Sequence, residues 1–154
     1  MSTADDLSTL RHSIEELSFL QHLARVTSSE LDPDQLCALV IRETCDVLGV
    51  EVCSLYQVDG DEVVLTATNG LNPVGVDQAR MPLGVGITGA AAVTRSTIAV
   101  RDVALDPRFH WIDGVDQERF TSMCSVPLIS GGTRVVGVLN VQTELPHDWT
   151  RDET

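Results

Sequence analysis

Lysine is absent from this chain of 154 residues: all ten basic residues are arginines. That removes Schiff-base chemistry, a lysine general base and a phosphate-loop lysine. Basic charge is scarce altogether, ten residues against 23 Asp and Glu for a formal net charge of −13, which excludes an extended nucleic-acid or anionic-membrane surface. CxxC spacing is missing too. Cys37, Cys45, Cys53 and Cys124 sit inside apolar periodic segments and read as buried thiols of a reducing compartment. His12, His22, His110 and His147 are scattered, with no HExxH and no His/Cys spacing, so no metal site is expected. No serine stands in a GxSxG elbow and Cys124 has no assigned base, which leaves no case for nucleophilic catalysis. No apolar run approaches the ~20 residues of a membrane span, and no signal-peptide pattern opens the chain. The expectation is a soluble, cytoplasmic, non-enzymatic protein.

A hydrophobic fraction of 43% is enough for one domain with a proper core. The least ordinary stretch is Gly70 to Ala92, GLNPVGVDQARMPLGVGITGAAA, with five glycines and two prolines around an apolar spine. A loop so long and so apolar reads as a folded-over lid. Within it, Gly84-Val85-Gly86-Ile87-Thr88-Gly89 matches GxGxxG. The dinucleotide fingerprint needs a buried strand before it and a crossover to a parallel strand after it; here Pro82 stands two residues upstream and only ~9 helical residues follow, too few for that crossover. The glycines instead admit a sharp entry into a helix from Ile87 to Arg95, whose N-terminal amides, near Gly86 and Gly89, suit a ligand's anionic group.

Taken in order, Asp5 to Thr27 is helical, with Leu7, Leu10, Ile14 and Leu17 at a/d spacing. Phe19, Leu20, Leu23 and Val26 lie on a rotated face. The first half is expected to meet a partner helix and the second its own domain; a single surface helix is the alternative. Asp32-Pro33 starts a second helix, expected to be largely buried and to end at Gly49. Strands follow at Glu51 to Val58 and Glu62 to Asn69, then at Thr97 to Val100, Thr121 to Ile129 and Arg134 to Thr143. Ser54 and Tyr56 share a face of the first strand, lining a cavity or forming a hydrogen-bonded core pair. Arg101 to Phe120 is a second irregular loop, with one-turn helices at Ala104 to Phe109 and Asp116 to Phe120. Trp149-Thr150-Arg151-Asp152-Glu153 reads as the first turn of another helix, which points to a piece of a longer protein. The fold class is α+β: a central antiparallel sheet of five to six strands, helices on one face, loops on the other.

The words VCSLYQVDGDEVVLTATNGLNP, MPLGVGITGAAA, IAVRDVALDPRF and ERFTSMCSVPLISGGTRVVGVLNVQT, over Leu31 to Thr143, resemble the GAF domain of bacterial signalling proteins. They are especially similar to the one at the front of nitrogen-type phosphotransferase enzyme I and to those of sensor kinases. The resemblance implies a ligand cavity between the sheet and the two lids, and a helical layer carrying a dimer contact. Residues 1–30 are then a signalling and dimerisation helix, 31–145 the GAF domain, and 146–154 the start of a helix leading to an output domain. Departures are specific. Asn140 is followed by Val141 and Trp149 precedes Asp152-Glu153, so the cyclic-nucleotide signature is partial. Phe109 precedes His110 where bilin binders have cysteine, and neither lid has the cysteine of the free-methionine sulfoxide reductases.

The expected function is a homodimeric sensor that binds a small cytoplasmic ligand of open identity, with no cofactor named. The candidate pocket residues are Ser54, Tyr56, Gly86, Gly89, Arg101, Asp102, Phe109, Trp111, Phe120, Ser122 and Cys124. The alternative is a dimerisation module whose cavity is filled by its own side chains.

Overall fold

Helix α1 (Pro33–Leu48) shows how directly local chemistry sets an element here. The Asp32 carboxylate accepts the Asp34 N–H at 3.2 Å, and Pro33 takes the first helical position, where its missing N–H costs nothing. Gly49 ends the helix in the left-handed conformation, its N–H on the Cys45 carbonyl at 2.8 Å. The computed structural model describes residues 9–11, 14, 17, 32–110 and 119–150.

Strands β1 (Val52–Asp59) and β2 (Glu62–Asn69) form a hairpin through Gly60 and Asp61. After a single 3-10 turn at Pro73–Gly75 comes β3 (Arg80–Pro82), then α2 (Gly86–Thr94), β4 (Ile98–Val100) and a second 3-10 turn at Val103–Leu105. The second hairpin is β5 (Ser122–Ser130) and β6 (Arg134–Thr143). Strand β6 pairs with β1, giving one six-stranded sheet in the order β3-β2-β1-β6-β5-β4, antiparallel at every junction. The sequence does not announce β3. It is three residues long, and its pairing with Glu62 to Val64 depends on the lid folding back.

Residues paired across strands share a face, so the register sorts the sheet. Val52, Gln142 and Met123 make one row, Ser54, Asn140 and Ser125 the next, and Tyr56, Val138 and Pro127 a third. On the opposite face, Cys53, Val141 and Cys124 line up, followed by Leu55, Leu139 and Val126. The first face carries α2 and the lid, with Ala91, Ala92, Met81 and Leu71 packed among Val52, Tyr56 and Val138. The second carries α1, through Ile41 and Cys45 against Cys53, Cys124 and Val141.

Helix α1 departs from the expectation that it is largely buried. Of its 16 residues only Ile41 and Cys45 are buried, and Val47 is 47% exposed. Its apolar residues occupy more than one stripe: one turns to the sheet, and Leu39 and Val47 turn outward. Two predicted helices lie largely outside the described residues, the one spanning Asp5 to Thr27, with Leu7, and the one-turn helix at Asp116 to Phe120. The stretch from Pro146 to Thr150 has no regular structure; the rest of the helix expected there is also outside them.

Candidate functional site

The site grows from the middle row of the lid-facing sheet. Ser125 Oγ donates to Asn140 Oδ1 at 2.6 Å, and Asn140 Nδ2 donates to Thr88 Oγ1 at 2.7 Å. Thr88 belongs to α2, so this chain of bonds ties the lid helix to the sheet across 52 residues of sequence. Along the same row, the Ser54 and Thr68 hydroxyls bond at 2.8 Å, and Thr68 Oγ1 accepts the Leu71 N–H at 3.3 Å where the lid begins. Next to that row Gln142 is 1% exposed, and its Oε1 has no hydrogen-bond partner among the described residues. A buried acceptor left without a donor costs about 1–3 kcal/mol. Ile87, Met123, Tyr56, Val138 and Phe120 supply apolar walls. The buried polar groups on this face, Ser54, Thr88, Ser125, Asn140 and Gln142, are all uncharged, so the chemistry on offer is neutral hydrogen bonding rather than ion pairing.

Tyr56 is buried, and desolvation pushes its phenol well above the ordinary tyrosine range. Below about pH 10 both the folded and the unfolded chain keep this proton. Above it the unfolded chain ionises first, so stability falls as pH rises past the ordinary value. Tyr56 is the single tyrosine, which makes the expectation easy to check. Tyrosinate absorbance should appear together with loss of circular dichroism, not ahead of it, and Tyr56→Phe should flatten the alkaline limb of stability.

Ser54, Tyr56, Phe120, Gly86 and Gly89 all lie on or over this face. Phe109 is half-buried and packs beside Ile87, Val100, Val103 and Met123. Gly86 opens α2 at φ 71°, where a Cβ would meet His110 Cβ at 3.1 Å and Met81 Sδ at 3.2 Å. At Gly89 a Cβ would come 2.8 Å from the Pro82 carbonyl oxygen, so glycine here lets the helix pack on the turn before it. The Gly89 carbonyl already accepts the Gly84 N–H.

Four expected site residues go elsewhere. Arg101 is on the surface, in an ion pair with Asp148 at 2.9 Å. Asp102 caps the second 3-10 turn, accepting the Ala104 N–H at 3.1 Å. Cys124 shares the helical face with Cys45 and Cys53. Ser122 has the same parity as Cys124 and bonds the Thr143 hydroxyl. The even positions of β5 turn to α1 and the odd ones to the lid, because Ser125 opposes Asn140 and Asn140 opposes Ser54. Trp111 lies outside the described residues.

The residues that sequence reasoning missed are Thr68, Thr88, Ser125 and Gln142, together with Asn140, which joins Thr88 to Ser125. Alternation alone offers two faces per strand; only the pairing of β6 with β1 selects the one that joins Ser54.

The geometry is that of a six-stranded antiparallel sheet with a lid helix locked to its centre, and residues 32–154 match the GAF family. The chain belongs to the GAF domain family. GAF domains are regulatory and sensory modules found in phosphotransferases and phosphodiesterases. Among curated proteins, the chain is 28% identical over 115 residues to the phosphoenolpyruvate-dependent phosphotransferase system protein of Escherichia coli K12. That match covers 73% of this chain and 15% of the relative, so the chain spans a small part of that protein's length. Among solved structures it is similar to the GAF domain of a phosphoenolpyruvate-protein phosphotransferase from Coxiella burnetii, at 25% identity and a TM-score of 0.79, covering 99% of this chain and 86% of that one. It is also similar to the free methionine-R-sulfoxide reductase of Neisseria meningitidis in complex with its substrate, at 27% identity and a TM-score of 0.67, covering 87% and 76%.

The other face of this GAF domain holds a pocket of about 320 Å³, lined by Leu10, Ile14 and Leu17 together with residues of α1 and the sheet. Leu10 and Leu17 are half-buried, whereas Ile14 is 54% exposed. Among the described residues no helix is long and apolar enough to cross a membrane.

Proposed function

We propose that this GAF domain is a sensor that holds a small, hydrogen-bonding molecule between the sheet and α2, and passes its occupancy to an output domain through paired helices. The observation that carries the reading is Gln142 Oε1, a buried acceptor with no partner among the described residues, beside a row of neutral polar groups. A ligand N–H or O–H would satisfy it. The Thr88–Asn140 bond gives the lid helix a closed position that such a ligand stabilises, and only a difference in affinity between closed and open lids shifts that balance. The domain acts by binding, without catalysis.

The test is a thermal-shift and calorimetry panel of amino acids, neutral amides, 2-oxoglutarate and cyclic nucleotides on the purified chain. A true ligand at a hundred times its Kd should stabilise by about 2.7 kcal/mol, and Gln142→Met should abolish that shift while keeping the fold. If no compound shifts the melting curve, the sensor reading fails. The second reading, a ligand-free dimerisation module, draws on the packing of Tyr56, Leu65, Ile87 and Val52, which are fully buried side chains under the lid.

In both readings the chain forms a homodimer through Leu7, Leu10, Ile14 and Leu17, supported by the exposure of Ile14 and Val47 and by the a/d spacing. The double variant Leu10→Glu, Ile14→Glu is expected to halve the mass in light scattering. An unchanged mass would remove the helix from the interface.

A further inference from the structure

We propose that the pocket of about 320 Å³ on the helical face of the sheet is a second binding site, for a single alkyl chain whose head carries no negative charge. The inference is independent of the site between the sheet and α2, because this pocket lies on the other face of the sheet.

The width of the sheet accounts for the gap. From β2 to β5 it spans three strand spacings, roughly 14 Å, whereas a helix with its side chains is about 10–12 Å across. Helix α1 packs on β1 and β2, which leaves Val126 and Leu128 of β5 and Leu139 of β6 half-buried in the floor of the pocket beside it. Leu10, Ile14 and Leu17 form the opposite wall, and the space between stays open. Among the lining residues Ile14 is 54% and Val47 47% exposed, so the mouth lies between them.

The lining selects the occupant. Protein interiors are packed as densely as organic crystals, with few voids larger than a water molecule. A gap of this size walled by leucine, isoleucine and valine gives water almost nothing to bond, and it suits hydrocarbon. The Thr44 hydroxyl, which also lines it, is already committed to the Val40 carbonyl at 2.8 Å. Glu43 is the one charged residue among the described lining residues, in a chain of formal net charge −13, so a carboxylate or phosphate head is repelled. Size sets the length. A methylene is close in volume to a water molecule, about 30 Å³, so the pocket accepts roughly ten. A helix from another chain is too large: one turn, about 10 Å across and ~5.4 Å tall, fills roughly 400 Å³. Because Leu10, Ile14 and Leu17 wall the pocket, its occupant touches the a/d stripe directly, an input to those residues that bypasses the lid.

The test applies N-phenyl-1-naphthylamine, an uncharged dye that brightens in apolar surroundings, to the native chain and displaces it with alkanols, alkylamines and alkanoates of increasing length. Alkanol affinity is expected to rise about fourfold per methylene, the gain from burying one CH2, and to level off near ten carbons, where the pocket is full. The alkanols separate apolar capture from attraction to the net charge. Decanoate should bind at least tenfold more weakly than decylamine, and Glu43→Gln should narrow that ratio. Val126→Phe, which puts a ring into the gap, should cut dye uptake at least tenfold with an unchanged circular dichroism spectrum. Affinity that keeps rising at fourteen carbons overturns the proposal, since surface or micellar capture has no length limit. So does decanoate that competes as well as decylamine. Dye taken up only as a dimer dissociates on dilution would make a second copy the occupant, and overturns it too. No uptake by the unmutated chain overturns it outright, a result that no folding defect of a variant can explain.

Discussion

Tyr56→Ala is expected to lower the stability of the domain by ~3–5 kcal/mol, the range for truncating a buried aromatic side chain. The residue sits in the central strand β1, is 1% exposed, and packs with Val52, Leu65, Leu71, Phe120 and Val138. Those neighbours come from strands and loops on both sides, so the structure cannot relax one element into the gap without moving another. Urea unfolding of the variant should show a lower midpoint with an unchanged slope. Tyr56→Phe separates the ring from its hydroxyl: the ring alone should keep most of the stability, and a ligand shift lost in Tyr56→Phe would place the hydroxyl at the site. A Tyr56→Ala protein as stable as the parent would mean that Tyr56 is not a core residue.

Asn140→Leu is the second large effect, at about 2–5 kcal/mol, because it leaves the Ser125 and Thr88 hydroxyls buried without the partner each now has. The loss is local as well as global. With the bond to Thr88 gone, α2 has no polar tie to β6 in the chain Ser125–Asn140–Thr88, and its amides should exchange with solvent faster than those of β1 and β5. Hydrogen exchange followed by mass spectrometry reads this directly. Equal acceleration in α2 and in the sheet would show that Asn140 supports the core generally rather than the lid.

Much of the architecture was open to reading residue by residue. The boundaries of α1 follow from Asp32, Pro33 and Gly49, three residues whose local chemistry suits one position each. The two hairpins follow from alternating runs broken at Asp59-Gly60-Asp61 and at Ser130-Gly131-Gly132-Thr133. Strand β3 was not legible, since Arg80-Met81-Pro82 has no alternation long enough to register and exists as a strand only through Glu62 to Val64. The candidate site was half legible. Ser54 and Tyr56 stand out in β1 because a hydroxyl and a phenol alternate with valines. Ser125 does not stand out in β5, where Ser122 is equally polar and equally buried.

The same division holds across the chain. Its sequence by itself determined the α+β class, the capped helix, five of the six strands and a lid rich in glycine, because propensity, capping and alternation act over a few residues. Tertiary structure alone decided which face of β5 looks into the lid, that Thr88 reaches Asn140, that Gln142 Oε1 has no partner among the described residues, and that Cys45 packs in one cluster with Cys53 and Cys124. Each of those depends on register or on contacts between residues remote in the chain, and a shift of one residue in a strand exchanges its two faces.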